Sequence, residues 1–225
     1  MTMTNEEYQK RLDELKPAFI AYRNVELELV PKIISDDENH LFDDSLFFAA
    51  IINRSLNLSD GLQQLLKSRN LTSAGILLRS QIDNCMRIYA AFISGDSNEF
   101  FQDFYQGIPI NKMKDQNGNN MSDVYLKCGL TKYDERLAPV YNTASGFVHL
   151  STEAVSMILR KVDSSDTNDK KLLFTIGVPL NEESNQTLIE VAEAFLHFCY
   201  LQQHLLAKVA ETYGAQKQRK NDSNS

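Results

Sequence analysis

From Asn5 to Val30, the apolar residues Leu12, Leu15, Phe19, Tyr22, Leu27 and Val30 recur at near-helical spacing. That spacing puts them along one side and predicts an amphipathic helix. Pro17 is expected to bend or restart it and Pro31 to end it, because proline brings no amide to the helix ladder. Asp43 and Asp44 are candidate N-caps for a second helix, whose stripe is Phe48, Ile51, Ile52, Ser55, Leu58, Leu62, Leu65 and Leu66. The strongest periodicity lies in LTSAGILLRSQIDNCMRIYAAF, where Leu71, Gly75, Leu78, Ile82, Cys85, Tyr89 and Phe92 alternate steps of four and three. Ile76, Leu77, Met86, Ile88 and Ala90 widen the apolar area beyond that stripe, which predicts a central helix. Arg79, Asp83 and Arg87 step by four along its flank. Long charged side chains seldom bury alone, so this row either meets solvent or pairs Arg79 with Asp83 across one turn.

Further on, EFFQDFYQ reads as a short amphipathic piece and KDQNGNN as a turn around Asn-Gly. MSDVYLKCGL restarts as a short helix with Ser122 or Asp123 as cap and Gly129 as stop. KYDERLAPVYNTASGFVHL is read as helical with Pro139 near its start, and STEAVSMILR as a following helix capped by Ser151. The segment KVDSSDTNDKKLLFTIGVPL changes character: polar turn residues flanked by β-branched and apolar ones suggest a small β-hairpin, the only strand expected. From Asn181 the helical pattern returns through Leu188, Val191, Phe195, Phe198, Leu205 and Val209, for about seven turns. These elements predict an all-α fold, an up-and-down helical bundle of about six or seven helices with a small β-hairpin excursion near residues 161–178. One helical domain over residues 1–214 and a disordered polar tail over residues 215–225 are expected.

Composition narrows the function classes. The scarcity of turn formers, 9 Gly and 5 Pro in 225 residues, argues against a many-stranded sandwich or barrel. A formal charge of −7 repels phosphate polymers over most of the surface, so non-specific DNA binding is not expected. The longest apolar run, Leu46 to Ile52, is too short to cross a bilayer, and MTMTNEEYQKRL lacks the pattern of a secretory signal. A cytoplasmic protein without membrane contact is expected. Cys85, Cys128 and Cys199 are widely separated among apolar neighbours and read as reduced core thiols, with no disulfide framework.

Chemistry concentrates in YNTASGFVHLS, which carries no formal charge. His149 is the candidate catalytic group, since imidazole can take and give a proton near neutral pH. In a helix, Ser145 lies one turn before it and Asn142 two turns before, with Tyr141 beside that row. Arg79 is a candidate holder of a phosphate and Asp83 a candidate carboxylate to orient His149, provided the two helices meet. The competing reading is a core histidine bonded to Ser145, and a salt bridge between Arg79 and Asp83 that only holds the bundle together. A di-iron site is not expected: Glu193 and His197 have four-residue rather than three-residue spacing, and a solvated face is the better account of them. No metal and no cofactor are called for, and Phe47, Phe48, Phe100, Phe101, Phe195 and Phe198 are assigned to the core.

LLRSQIDN, Leu77 to Asn84, followed by YNTASGFVHLS, resembles bacterial all-helical proteins of the HEPN-like class. The resemblance implies a helical bundle, frequent homodimers and, in active members, metal-independent RNA cleavage with an Arg shortly before the His. Asn142 stands at the corresponding position here, which removes the charge that would hold the scissile phosphate. The expectation is therefore a homo-oligomeric bundle with a polar pocket of Arg79, Asp83, Tyr141, Asn142, Ser145 and His149, binding a nucleotide or an RNA phosphate. The alternative is a non-enzymatic interaction or oligomerisation protein whose polar motif is structural.

Overall fold

A computed structural model describes residues 3–34, 43–149, 151–152, 155, 159–161, 172–174 and 182–223. The described residues form an all-α bundle of α1 (Asn5–Ile34), α2 (Asp43–Lys67), α3 (Leu71–Ile93), α4 (Ser97–Tyr105), α5 (Asp123–Thr131), α6 (Leu137–Val148) and α7 (Asn185–Ser223). Two three-residue strands, β1 (Leu159–Lys161) and β2 (Leu172–Phe174), pair antiparallel with Leu159 opposite Phe174. The turn of the expected hairpin and half of the expected STEAVSMILR helix lie outside the described residues, and the last two residues of that segment, Leu159 and Arg160, are extended in β1 rather than helical.

α3 is central, packing against α2, α4, α5, α6 and α7. Its sequence accounts for this, since buried residues appear all around it, from Leu71 and Ala74 through Gln81, Ile82, Asn84 and Cys85 to Ala90. The side chain of Asn70 starts the helix by accepting from the Ser73 amide at 3.0 Å, which satisfies one of the amides a helix leaves open at its first turn. Contact registers give the directions of its neighbours. Tyr8 Oη donates to the Leu66 carbonyl at 2.8 Å and Ser45 Oγ to the Ile33 carbonyl at 3.0 Å, so α1 and α2 run antiparallel. α7 runs alongside α1 in the same direction, with Arg11 Nη2 on Glu193 Oε1 at 2.7 Å and Gln203 Nε2 donating to the Tyr22 carbonyl at 3.0 Å.

Two helices and one cysteine depart from the sequence expectation. α1 continues through Pro17 and Pro31 to Ile34. Both prolines are exposed, so water can take up the carbonyls they leave unpaired, while Leu29 and Ile33 bury one turn apart and hold the last stretch helical. α7 continues past Gly214 to Ser223, where a disordered tail was expected. The run AQKQRK is made of strong helix formers, and their propensity outweighs the one glycine. Cys85 and Cys199 are buried as expected, but Cys128 is exposed on α5.

α6 lies on α3 where Gly75 lets it approach. A Cβ at Gly75 would stand 2.3 Å from the ring of Phe147, too close for the ring to stay in place. Gly75→Val is expected to lower stability by about 2 kcal/mol in urea unfolding. Added to a Phe147→Ala background, the same change is expected to have little effect, because the ring it displaces is gone.

Candidate functional site

The charged row of α3 is neither solvated nor a single pair. Asp83 is the hub of a cluster that draws on four helices. Its Oδ1 accepts from Arg87 Nη2 at 2.8 Å, its Oδ2 accepts from Arg54 Nη1 of α2 at 3.4 Å, and Arg79 Nη1 lies 3.8 Å away. Asp123, the first residue of α5, takes Arg87 Nη2 at 2.8 Å and Arg79 Nη2 at 3.4 Å. Arg79 also donates to the hydroxyl of Tyr141 in α6 at 2.7 Å, with its guanidinium carbon 3.9 Å from the centre of the tyrosine ring. Lys127 Nζ lies 5.0 Å from the centre of the same ring and donates to Asn142 Oδ1 at 3.0 Å.

Asp123 is placed by local chemistry. Ser122 caps α5 by accepting from the Tyr125 amide at 3.2 Å. The preceding turn is wound around the Asp115 carboxylate, which accepts from the Tyr125 hydroxyl, the amides of Asn117 and Asn119 and the Asn119 side chain. The Tyr125 hydrogen bond, joined by those of the loop, holds the Asp115 carboxyl well below the usual carboxylate range. Gly118 completes the turn at φ 80°, a left-handed conformation that suits glycine.

Of the six expected site residues, Arg79, Asp83 and Tyr141 converge, and Asn142 joins them at the rim through Lys127. Ser145 Oγ is spent on the Tyr141 carbonyl of its own helix at 2.8 Å. His149 is the exposed C-cap of α6, its amide donating to the Ser145 carbonyl at 3.1 Å. Eight residues of helix separate it from Tyr141, about 12 Å along the axis. Asp83 therefore does not orient His149: three guanidiniums surround it instead, because α2 and α5 deliver Arg54 and Asp123 to the same flank of α3. Nor does Arg79 offer a free positive group. Its side chain is 14% exposed and its guanidinium is taken up by Tyr141 and the two carboxylates.

The accessible guanidinium is that of Arg54, which sequence reading passed over. Its side chain is 46% exposed, and it lines a cleft of about 550 Å³ together with Asn84, Arg87 and Asp123. Phe47 and Ile51 of α2, Phe104 of α4, and Ile108, Pro109 and Ile110 form the apolar side of the cleft. The volume is that of a small-molecule site, and the combination of apolar walls with a few convergent polar groups is what such sites show. No protein-family model, curated protein or solved structure matches this chain. The cleft therefore has to be interpreted from its own chemistry.

Behind the cleft a chain of hydrogen bonds crosses the core. Arg54 donates to Asn84 Oδ1. Asn84 Nδ2 and Ser55 Oγ donate to Gln81 Oε1 at 3.2 and 2.7 Å, and Gln81 Nε2 donates to Gln202 Oε1 at 3.0 Å. Gln202 Nε2 donates in turn to Glu26 Oε1 at 3.1 Å. Ser55 also bonds Tyr22. The amides fix one another's orientation and, through Asn84, the position of Arg54.

A second polar pair lies outside this cluster. His197 of α7, expected on a solvated face, bonds Asp134 in the link between α5 and α6. Burial acts to raise the Asp134 carboxyl, but the hydrogen bonds from His197 and the Arg136 amide, with the charges of both partners, hold it below its ordinary value. Glu193 is bound to Arg11 rather than to His197. Among the described residues, no group of three or more His, Cys, Asp or Glu side chains could hold a metal ion. No described helix is long and apolar enough to cross a membrane.

Proposed function

We propose that this protein binds a small anionic ligand in the cleft, with the negative group on Arg54 and the remainder against Phe47, Ile51, Phe104 and Ile108. A phosphorylated ligand such as a nucleotide belongs to this class. The observation that carries the reading is the half-exposed guanidinium of Arg54 at the polar end of an apolar-walled cleft. Charge-assisted hydrogen bonds of this type are the strong ones, and aligned Arg forks favour carboxylate and phosphate oxygens.

RNA cleavage of the HEPN-like kind would require His149 beside the guanidinium that holds the phosphate. The position of His149 at the far end of α6 supports binding over cleavage. A thermal-shift screen of phosphates, nucleotides and organic acids at low ionic strength tests the reading. Some anions are expected to raise the melting temperature of the wild type and of His149→Ala, and to leave Arg54→Gln unchanged. A shift that persists in Arg54→Gln, or that vanishes in His149→Ala, overturns it.

A second reading is an oligomerisation role for α1. It rests on Ile20, Val25 and Leu27, which α1 leaves exposed. Light scattering separates the two readings: the oligomer reading predicts a mass above 25.6 kDa that Ile20→Glu returns to the monomer value.

A further inference from the structure

We infer that the ligand of this cleft is an amphipathic monoanion, a carboxylic acid with an apolar body, rather than a phosphomonoester. The inference rests on the anion-binding reading above and names its substrate class.

Charge balance is the first argument. The charged groups lining the polar end of the cleft are Arg54 and Arg87 against Asp123, and behind them Arg79 and Asp83 offset each other, so the cluster holds three positive groups against two negative ones. One positive charge is left over, and it belongs to the most exposed member, Arg54. A ligand with one negative charge neutralises the site. A phosphomonoester brings close to a second charge at neutral pH. That charge would face Asp123, which itself lines the cleft, and among the described residues no cation beyond Arg54 and Arg87 lines it.

Hydrogen-bond geometry is the second. Arg54 Nη1 is committed to Asn84 and Asp83. Among the described residues, its Nη2 and Nε have no hydrogen-bond partner. That remaining edge offers two parallel N–H groups in one plane, which matches the two coplanar oxygens of a carboxylate. The donor chain through Asn84 and Gln81 holds the edge in place, so little rotamer freedom is lost on binding.

The walls supply the third. Phe47, Ile51, Phe104, Ile108 and Ile110 offer a ligand body aliphatic and aromatic surface, with Asn111 a polar side chain beside them. Burial of such surface is driven by the hydrophobic effect and rewards an alkyl or aryl body over a sugar.

Isothermal titration of the full chain at pH 8 with octanoate, 1-octanol, octyl phosphate and acetate tests this. Octanoate is expected to bind one to one, at least about tenfold more tightly than the other three, since each lacks one matched feature or adds a charge. Ile108→Asp places a negative charge on the apolar side without touching the arginine cluster, so it reports on the cleft even if Arg54→Gln unfolds. It is expected to weaken octanoate by about tenfold or more. Octyl phosphate binding as tightly as octanoate overturns the monoanion assignment while leaving the anion-binding reading intact. Octanol binding as tightly as octanoate overturns both. Acetate matching octanoate, or Ile108→Asp leaving octanoate unaffected, removes the apolar body from the assignment.

Discussion

Glu26→Gln is expected to remove a loss of stability that the wild type suffers between pH 4.5 and pH 7. Glu26 is fully buried in α1, and its Oε2 has no hydrogen-bond partner among the described residues. Burial pushes its carboxyl up to about 7, opposed only in part by the hydrogen bond from Gln202. A carboxyl whose value is raised on folding contributes stability that is full below its unfolded value and is lost as pH rises through the folded one. The window therefore runs upward from 4.5 to about 7, and the loss across it is about 3 kcal/mol. Other groups titrate in the opposite sense: Asp134, held low, loses stability as pH falls. The informative quantity is thus the difference between variant and wild type in urea unfolding. It should move in favour of Glu26→Gln by about 3 kcal/mol from pH 4.5 to pH 8. A difference that stays flat over that range would show that Glu26 is not a buried acid.

The second large effect is expected at Asp83. It is 20% exposed, and the arginines it serves are 14% exposed at Arg79 and 22% at Arg87. Asp83→Asn leaves Asp123 alone against three guanidiniums, and removing one partner of such a buried group leaves charges without compensation. About 3 kcal/mol is the lower figure for a fully buried pair, and residual contact with water reduces it here to about 2 kcal/mol. Asp13→Asn, which breaks an exposed pair with Lys16 at 2.6 Å, is expected to change stability by less than about 0.5 kcal/mol. In a double-mutant cycle, Asp83→Leu combined with Arg87→Met should recover much of the loss, since matched apolar groups can replace a buried ion pair at little penalty.

α3 was legible because two signals agreed in it: an apolar area too wide for a surface helix, and a charged row at helical spacing. The row was ambiguous only in what it faces, which depends on residues far away in sequence. Arg54 sits in INRSLN, where one arginine between apolar positions reads as a surface charge. Asp123 reads as an N-cap beside Ser122; Ser122 takes that role, and its place as the first residue of α5 carries Asp123 to Arg87. Phe104 belongs to a short amphipathic helix that reads as core, and Ile108 to its exit, with no period to mark it. Each wall of the cleft is thus unremarkable alone, and the site exists only where α2, α3, α4 and α5 meet. Glu26 was hidden for a related reason: in VELELV it alternates with apolar residues like a solvated glutamate, and its partner Gln202 comes from α7, far away in sequence. The YNTASGFVHLS motif misled in the other direction. Its polar residues are dense in sequence, but Ser145 turns back to its own helix and His149 ends it, so the density does not amount to one pocket.

In the proposed function Arg54 in the cleft, and not the histidine end of α6, receives the ligand. The most direct test of this is a titration of the full chain with octanoate followed by the arginine Nε–H and histidine ring resonances in nuclear magnetic resonance spectra. A saturable shift of the Arg54 Nε–H signal together with the Phe104 ring signals is expected, while the His149 ring stays unchanged. Shifts centred on His149, with Arg54 unmoved, would contradict it.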